Sequence, residues 1–427
     1  MTLSLKTAVK LLAAFLIILS GTEKLCSYLL WRTPSFAIPK ENVRVLTGTV
    51  LLDSTPSLYG TVETLIRLEF ASDFYGNSAT AKGILRLAAK SEALYAGDRV
   101  RFFIRSFDEE RVRVRETQLL CRPPLSLIRS RVLSFLSSGF PDDTEGVLMK
   151  GLILGLPMER DSDVKTLSRE SGMAHILALS GLHLAFFSFL FALLVKPVFK
   201  EYAPFVSLFP LFFYILAIGP KPSLLRAFLL RTVFVLFKPI KPQPALVLTF
   251  FLQASLFPDT MGELSTLYSY LALAGILFLS PVLEYPFKRG RCIVRLFSVS
   301  YAAILLTSPI SFYVFGEVRT GGLFLSFLTT PILFIIMAKG CLGLFIPSLL
   351  KGNGYSSMLL IRLMELGARF PVIKDRKGLL LFFLPLLLIF ITSGILFLER
   401  KKRNVEPGLR KPKSNHAGLG RGRSYDE

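Results

Sequence analysis

Apolar blocks of membrane-crossing length recur along the second half of this chain, at Met173–Val195, Tyr202–Gly219, Leu264–Leu283, Phe297–Phe315 and Gly378–Leu398. A helix needs about 20 mostly apolar residues to cross a bilayer, and the blocks are of that order. Lipid offers no hydrogen-bond partners, so only helices and closed barrels can cross it. None of the blocks shows the ten-residue alternation of barrel strands, and the pattern predicts a polytopic α-helical membrane domain. A hydrophobic fraction of 52% and a mean hydropathy of +0.53 over 427 residues set the chain apart from soluble proteins of its length.

Charge points to an anionic neighbour. Lys and Arg number 51 against 30 Asp and Glu, a formal +21, which suits nucleic acid or lipid headgroups. Membrane topology is the simpler source of much of it. The clusters Lys288-Arg289-Arg291-Arg295, Arg369-Lys374-Arg376-Lys377 and Arg400-Lys401-Lys402-Arg403 sit beside apolar blocks, as cytoplasmic loops do. Cys26, Cys121, Cys292 and Cys341 are scattered without CxxC or Cys/His spacing, so neither a metal centre nor a cofactor is expected. Cys26 and Cys121 flank one domain and could form a disulfide in an oxidising compartment, although cysteines so placed are more often free.

Composition divides the chain into five parts. Residues 1–41 carry Lys6 and Lys10 before the apolar run Leu11–Ser20 and form an uncleaved membrane anchor, since no small-x-small site closes the run. Residues 42–121 turn charged and β-branched, with alternating runs at Val43–Leu52, Thr61–Phe70, Thr80–Leu87, Asp98–Ile104 and Arg111–Leu119. Five strands in that length predict a small OB-like β-barrel, extracytoplasmic in this arrangement. OB folds often stack single strands on aromatic side chains, and Phe102, Phe103 and Phe107 interleave with Arg101 and Arg105; Phe102 and Phe103 face opposite ways, so at least one belongs to the core. Residues 122–172 read as a helical connector opening with the amphipathic run Leu125–Leu136. Residues 173–398 are the membrane domain, interrupted by proline junctions at 219–222, 238–242 and 329–331, with Ser356–Phe370 interfacial rather than spanning. Residues 399–427 form a basic, disordered, cytoplasmic tail.

Polar residues inside an apolar segment are costly and mark a water-filled path or another helix. Two of the three histidines, His175 and His183, fall in one such segment with Ser180 and Gly181. On a continuous helix Ser180 and His183 share a face, and His175 lies less than a quarter turn away. Gly181 allows close packing or a break in the helix. Interhelical hydrogen bonding would account for the pair equally well. A second group is Pro222, Ser223 and Arg226, where prolines precede an apolar helix with a charge in its first turns. Arg226 either snorkels to the interface or contacts phosphate. Ser180 with His183 would also permit a membrane hydrolase, but no orienting acid or oxyanion donor accompanies them.

The run His175-Ile-Leu-Ala-Leu-Ser-Gly-Leu-His183 resembles the H-L-L-A-I-S-G-L-H pattern of the ComEC competence family. Pro222-Ser223 with Arg226-Ala227 is similar to that family's P-S-x-x-R-A, Tyr268–Ala272 to its L-S-F-L-A, Ser326–Pro331 to its N-L-L-A-V-P, and Gly97–Val100 to its Gly-Asp-Arg-Val stretch. The resemblance implies an inner-membrane channel component, not an enzyme, that carries single-stranded DNA into the cytoplasm during natural transformation. It places His175, Ser180, Gly181, His183, Pro222, Ser223, Arg226 and Ser269 along the DNA pathway. It further implies a separate nuclease, a DNA receptor and a cytoplasmic motor as partners, within a lipid bilayer, and leaves a homo-oligomer open. Ser326 and Leu267 replace the family's asparagine and glutamine, and no H-x-H-x-D-H nuclease cluster is present. Transport of another solute or lipid is the alternative.

Overall fold

The computed structural model describes residues 5–31, 34–56, 62–107, 112–156, 163–177, 181–284, 291–351 and 354–375, with Ile391 and Ile395. The expected span Gly378–Leu398, the basic tail and Ser180 lie outside the described residues.

Helix α1 (Leu5–Trp31) is continuous, and its 27 residues reach about 40 Å, enough to cross a bilayer with tilt. Its chain leads into strands β1 (Ser35–Phe36), β2 (Val45–Pro56), β3 (Val62–Ser72), β4 (Ser78–Lys82), β5 (Ile84–Ala89), β6 (Arg99–Phe107) and β7 (Val112–Cys121). These form one sheet ordered β1-β4-β3-β2-β6-β7-β5, with β5 also pairing back onto β3 and meeting β7 in parallel at Ala88 and Arg113. The expected strand Thr80–Leu87 is in fact two strands. Gly83, at φ +111°, turns the chain between β4 and β5, a conformation that a side chain would oppose.

Alternation sets the two faces of the sheet. Val100, Phe102 and Ile104 of β6 are buried with Leu46, Val50, Ile66 and Leu68, whereas Arg99 and Arg105 are exposed and Arg101 and Phe103 half-buried. Phe102 is therefore core and Phe103 is outside it. Cys26 and Cys121 are both free and exposed, so the domain is held without that disulfide.

The connector comprises α2 (Pro124–Ser138), α3 (Thr144–Met149), a π-helical segment Lys150–Leu154, and α4 (Asp163–Glu170). There follow α5 (Ala174–Leu177), α6 (Gly181–Phe199), α7 (Ala203–Val206), α8 (Leu208–Ile218), α9 (Pro222–Leu236), α10 (Pro242–Leu256), α11 (Leu264–Ala274), a π-helical segment Gly275–Leu279, and α12 (Ser280–Glu284). Then come α13 (Arg291–Phe315), β8 (Val318–Arg319), α14 (Gly321–Gly343), α15 (Tyr355–Ala368) and β9 (Val372–Ile373).

Among the described residues, four segments are long and apolar enough to cross a membrane: 174–206, 264–284, 297–315 and 321–343. The chain is a multi-pass membrane protein by that measure. Two expectations change here. Tyr202–Gly219 does not form one span, because Ser207 separates α7 from α8, and the 11 residues of α8 reach only about 16 Å. The supposed junction at Pro331 instead lies inside α14, whose 23 residues span where the sequence suggested a break. Thr329 and Thr330 donate hydroxyls to the carbonyl of Ser326 at 3.0 and 2.8 Å, just before the proline. Helix α15 packs on α14 through Ser357, Leu360, Met364 and Gly367 and, at 14 residues, is too short to span.

Candidate functional site

Two of the sequence motifs meet at Gly181. A side-chain carbon built on this glycine would stand 3.0 Å from a terminal nitrogen of Arg226 and 3.7 Å from the methyl of Ala227. The absent side chain therefore lets α6 and α9 close on the guanidinium. Pro222 occupies the first turn of α9, where its missing N–H costs nothing, and Arg226 follows in the next turn. Arg226 is 8% exposed. Its Nε has no hydrogen-bond partner.

Tyr270 of α11 lies within electrostatic reach of that guanidinium and opens a buried polar chain. Its hydroxyl donates to Gln253 Oε1 at 2.9 Å, and Gln253 Nε2 donates to Thr260 Oγ1 at 3.0 Å. Thr266 donates to the carbonyl of Thr260 at 2.6 Å. Gln253, Thr260 and Thr266 are buried, so each hydrogen bond offsets a desolvation cost.

The remaining sequence-predicted residues are placed unequally. His183 is fully buried on α6. His175 is exposed on α5, its Nε2 3.5 Å from Ser326 Oγ, a weak contact at the limit of hydrogen bonding. Ser223 and Ser269 are half-buried and outside any hydrogen-bonded pair among the described residues. Among those residues no three His, Cys, Asp or Glu side chains gather as a metal site would require.

A joint between the sheet domain and α9 was not foreseen. Asp53 of β2 accepts from Arg129 of α2, which is 4% exposed and also donates to the Ile218 carbonyl at 3.1 Å. Arg129 lies over the Tyr95 ring, 5.4 Å from its centre. Burial lowers the Arg129 guanidinium to about 10. Gly219, at φ +105°, ends α8 beside this pair, and a side-chain carbon there would stand 2.8 Å from the Asp53 carboxylate and closer still to the guanidinium. Lys221 donates to the Gly155 carbonyl, and burial, with Arg129 second, lowers its amine to about 8. Nearby, Asp98 of the Gly97–Val100 stretch is fully buried, paired with Arg122 at 3.0 Å and accepting from Ser126 at 3.0 Å. Asp98 shows in sequence only as part of a motif; Asp53 and Arg129 carry no local signal at all.

Fold and site together define a polytopic α-helical membrane protein with one β-sheet domain joined to one end of its helices. The Competence protein family model matches residues 152–399, more than half of the chain, and the chain belongs to that family. It is 31% identical over 110 residues to ComE operon protein 3 of Bacillus subtilis (strain 168), a match covering 25% of this chain and 14% of that protein. No solved structure matches.

Proposed function

We propose that the protein is a component of a cytoplasmic-membrane channel that passes one DNA strand inward during transformation, acting as a conduit and not as a catalyst. The observation that carries this reading is Arg226, a nearly buried guanidinium with an unpartnered Nε at the meeting of two family-like motifs. A buried cation without a carboxylate is costly, and a passing phosphate would relieve that cost.

Charge placement supports an orientation. Arg67 and Arg86 of the sheet domain pair with Asp259 and Glu263, so the end of α10 and the start of α11 lie beside that domain. Lys10 donates to the Lys238 carbonyl at 2.6 Å, placing the start of α1 and the loop with Lys238 and Lys241 at the opposite ends of those helices. Cytoplasmic ends accumulate lysine and arginine, which favours the sheet domain outside the cell and these lysines inside. The return pairing of β5 onto β3 supports an OB-like barrel. In this reading a nuclease and a receptor deliver the strand and a cytoplasmic motor draws it in.

The test is a clean deletion in a transformable host, complemented with wild type, His183→Ala or Arg226→Ala, scored for labelled DNA reaching the cytoplasm with surface binding measured in parallel. Loss of entry with binding intact is expected for the deletion and for Arg226→Ala. Normal entry in the deletion strain would contradict the reading.

A further inference from the structure

Arg231 stands in the same helix as Arg226 and shares its predicament. It lies mid-way along the apolar helix α9, its Nε is buried without a partner, and among the described residues neither arginine forms a hydrogen bond or an ion pair. Helices α6, α8, α10 and α11 pack on α9, and neither α9 nor any of them contains an aspartate or glutamate. The carboxylates at the outer ends of this group are already engaged, Asp53 with Arg129, Asp259 with Arg67 and Glu263 with Arg86. Two cations in an apolar bundle therefore have no counter-charge within the helices that surround them.

We propose that Arg226 and Arg231 are two phosphate contacts for a single nucleic-acid strand passing along α9; this rests on the reading given under Proposed function and extends it to a second residue. Five residues advance an α-helix by about 7.5 Å. Successive phosphates of a stacked strand are about 3.4 Å apart along the axis, so the two arginines are separated by about two stacked steps or one step of a strand drawn out to twice that rise. The positions differ by about 140° around α9, so the reach of two long side chains, and not one shared face, brings both heads to the strand. A phosphate supplies the flat pair of acceptors that a guanidinium fork matches, which an amine does not. Arg231 lies outside the motif residues and is recognisable in sequence only as a second charge in an apolar helix.

The test uses the full-length protein in lipid nanodiscs and a single-stranded DNA oligonucleotide, with affinity measured by fluorescence anisotropy over a salt series. Each phosphate contact on a single strand contributes about 0.7 to the slope of log affinity against log salt. Arg226→Gln and Arg231→Gln are each expected to lower the slope by about 0.7 and the double variant by about 1.4, with Arg231→Lys retaining the wild-type slope. Phenylglyoxal labelling of the wild type, read by mass spectrometry, gives a second measure that needs no substitution: bound strand should protect both arginines. A wild-type slope in Arg231→Gln, or no protection of Arg231 by a strand that binds, overturns the two-arginine site while leaving transport standing. Normal DNA entry in the deletion strain, with no binding by the wild type at any salt, overturns the transport reading and the site with it.

Discussion

Gly219 has no side chain because the joint leaves it no room. Its φ of +105° and the closeness of Arg129 and Asp53 both forbid a β-carbon. Gly219→Ala should destabilise the detergent-extracted protein by at least about 1–3 kcal/mol from backbone strain alone. Gly76→Ala is the control, since Gly76 has φ +85° and nothing within 4 Å, so strain acts there without a clash. A smaller loss of thermal stability at Gly76 than at Gly219 is the expected outcome. Asp98→Ala should cost about 3–5 kcal/mol, because it strands Arg122 and Ser126 beside a fully buried position. At the β3–β4 turn, the Asn77 side-chain amide holds the Asp73 carboxyl below its ordinary 3.8, against a slight opposing effect of burial and with help from the N–H groups of Asn77, Tyr75 and Gly76. A carboxyl lowered in the folded state stabilises above its unfolded value and ceases to do so as pH falls through the lowered one. Amide exchange at Asn77 should therefore rise on acidification below about 3.8 and be insensitive to pH-linked unfolding above it, and Asp73→Ala should remove the transition.

At the scale of elements, periodicity was the readable signal and termination the unreadable one. The apolar blocks at 173–195, 264–283 and 297–315 return as helices because length and hydropathy suffice in lipid. Helix α14 was hidden by Pro331, since proline reads as a stop and only the packing of α13 and α15 on α14 shows otherwise. Tyr202–Gly219 failed in the opposite sense, because uniform hydrophobicity says nothing about where a helix breaks. The strands of the sheet domain were legible from alternation, and the Gly83 turn was not. Of the site, the contact of Gly181 with Arg226 joins two motifs that sequence could name but not bring together. The chain from Tyr270 through Gln253 to Thr260 depends wholly on the docking of α10 against α11. Gln253→Leu should therefore leave the helices inserted while lowering thermal stability by about 1–3 kcal/mol, as the partners lose their hydrogen bonds.

At the scale of the molecule, the sheet domain and the basic helix ends occupy opposite ends of the helices, and labelling can read the orientation proposed from this. In a cysteine-free background, Tyr75→Cys should react with an impermeant maleimide in intact cells, and Lys241→Cys only after the membrane is opened. The reverse pattern would invert the protein. The joint at Gly219 ties the sheet domain to the chain just before α9. The central claim is that a DNA strand passes beside Gly181 and Arg226, and a photo-crosslinking amino acid in place of Ala227 tests it most directly, with the half-exposed Leu236 as the outward-facing comparison. During uptake of labelled DNA, the account predicts a DNA adduct from position 227 and none from position 236. Active uptake with no adduct at 227, or equal adducts at both, would contradict it.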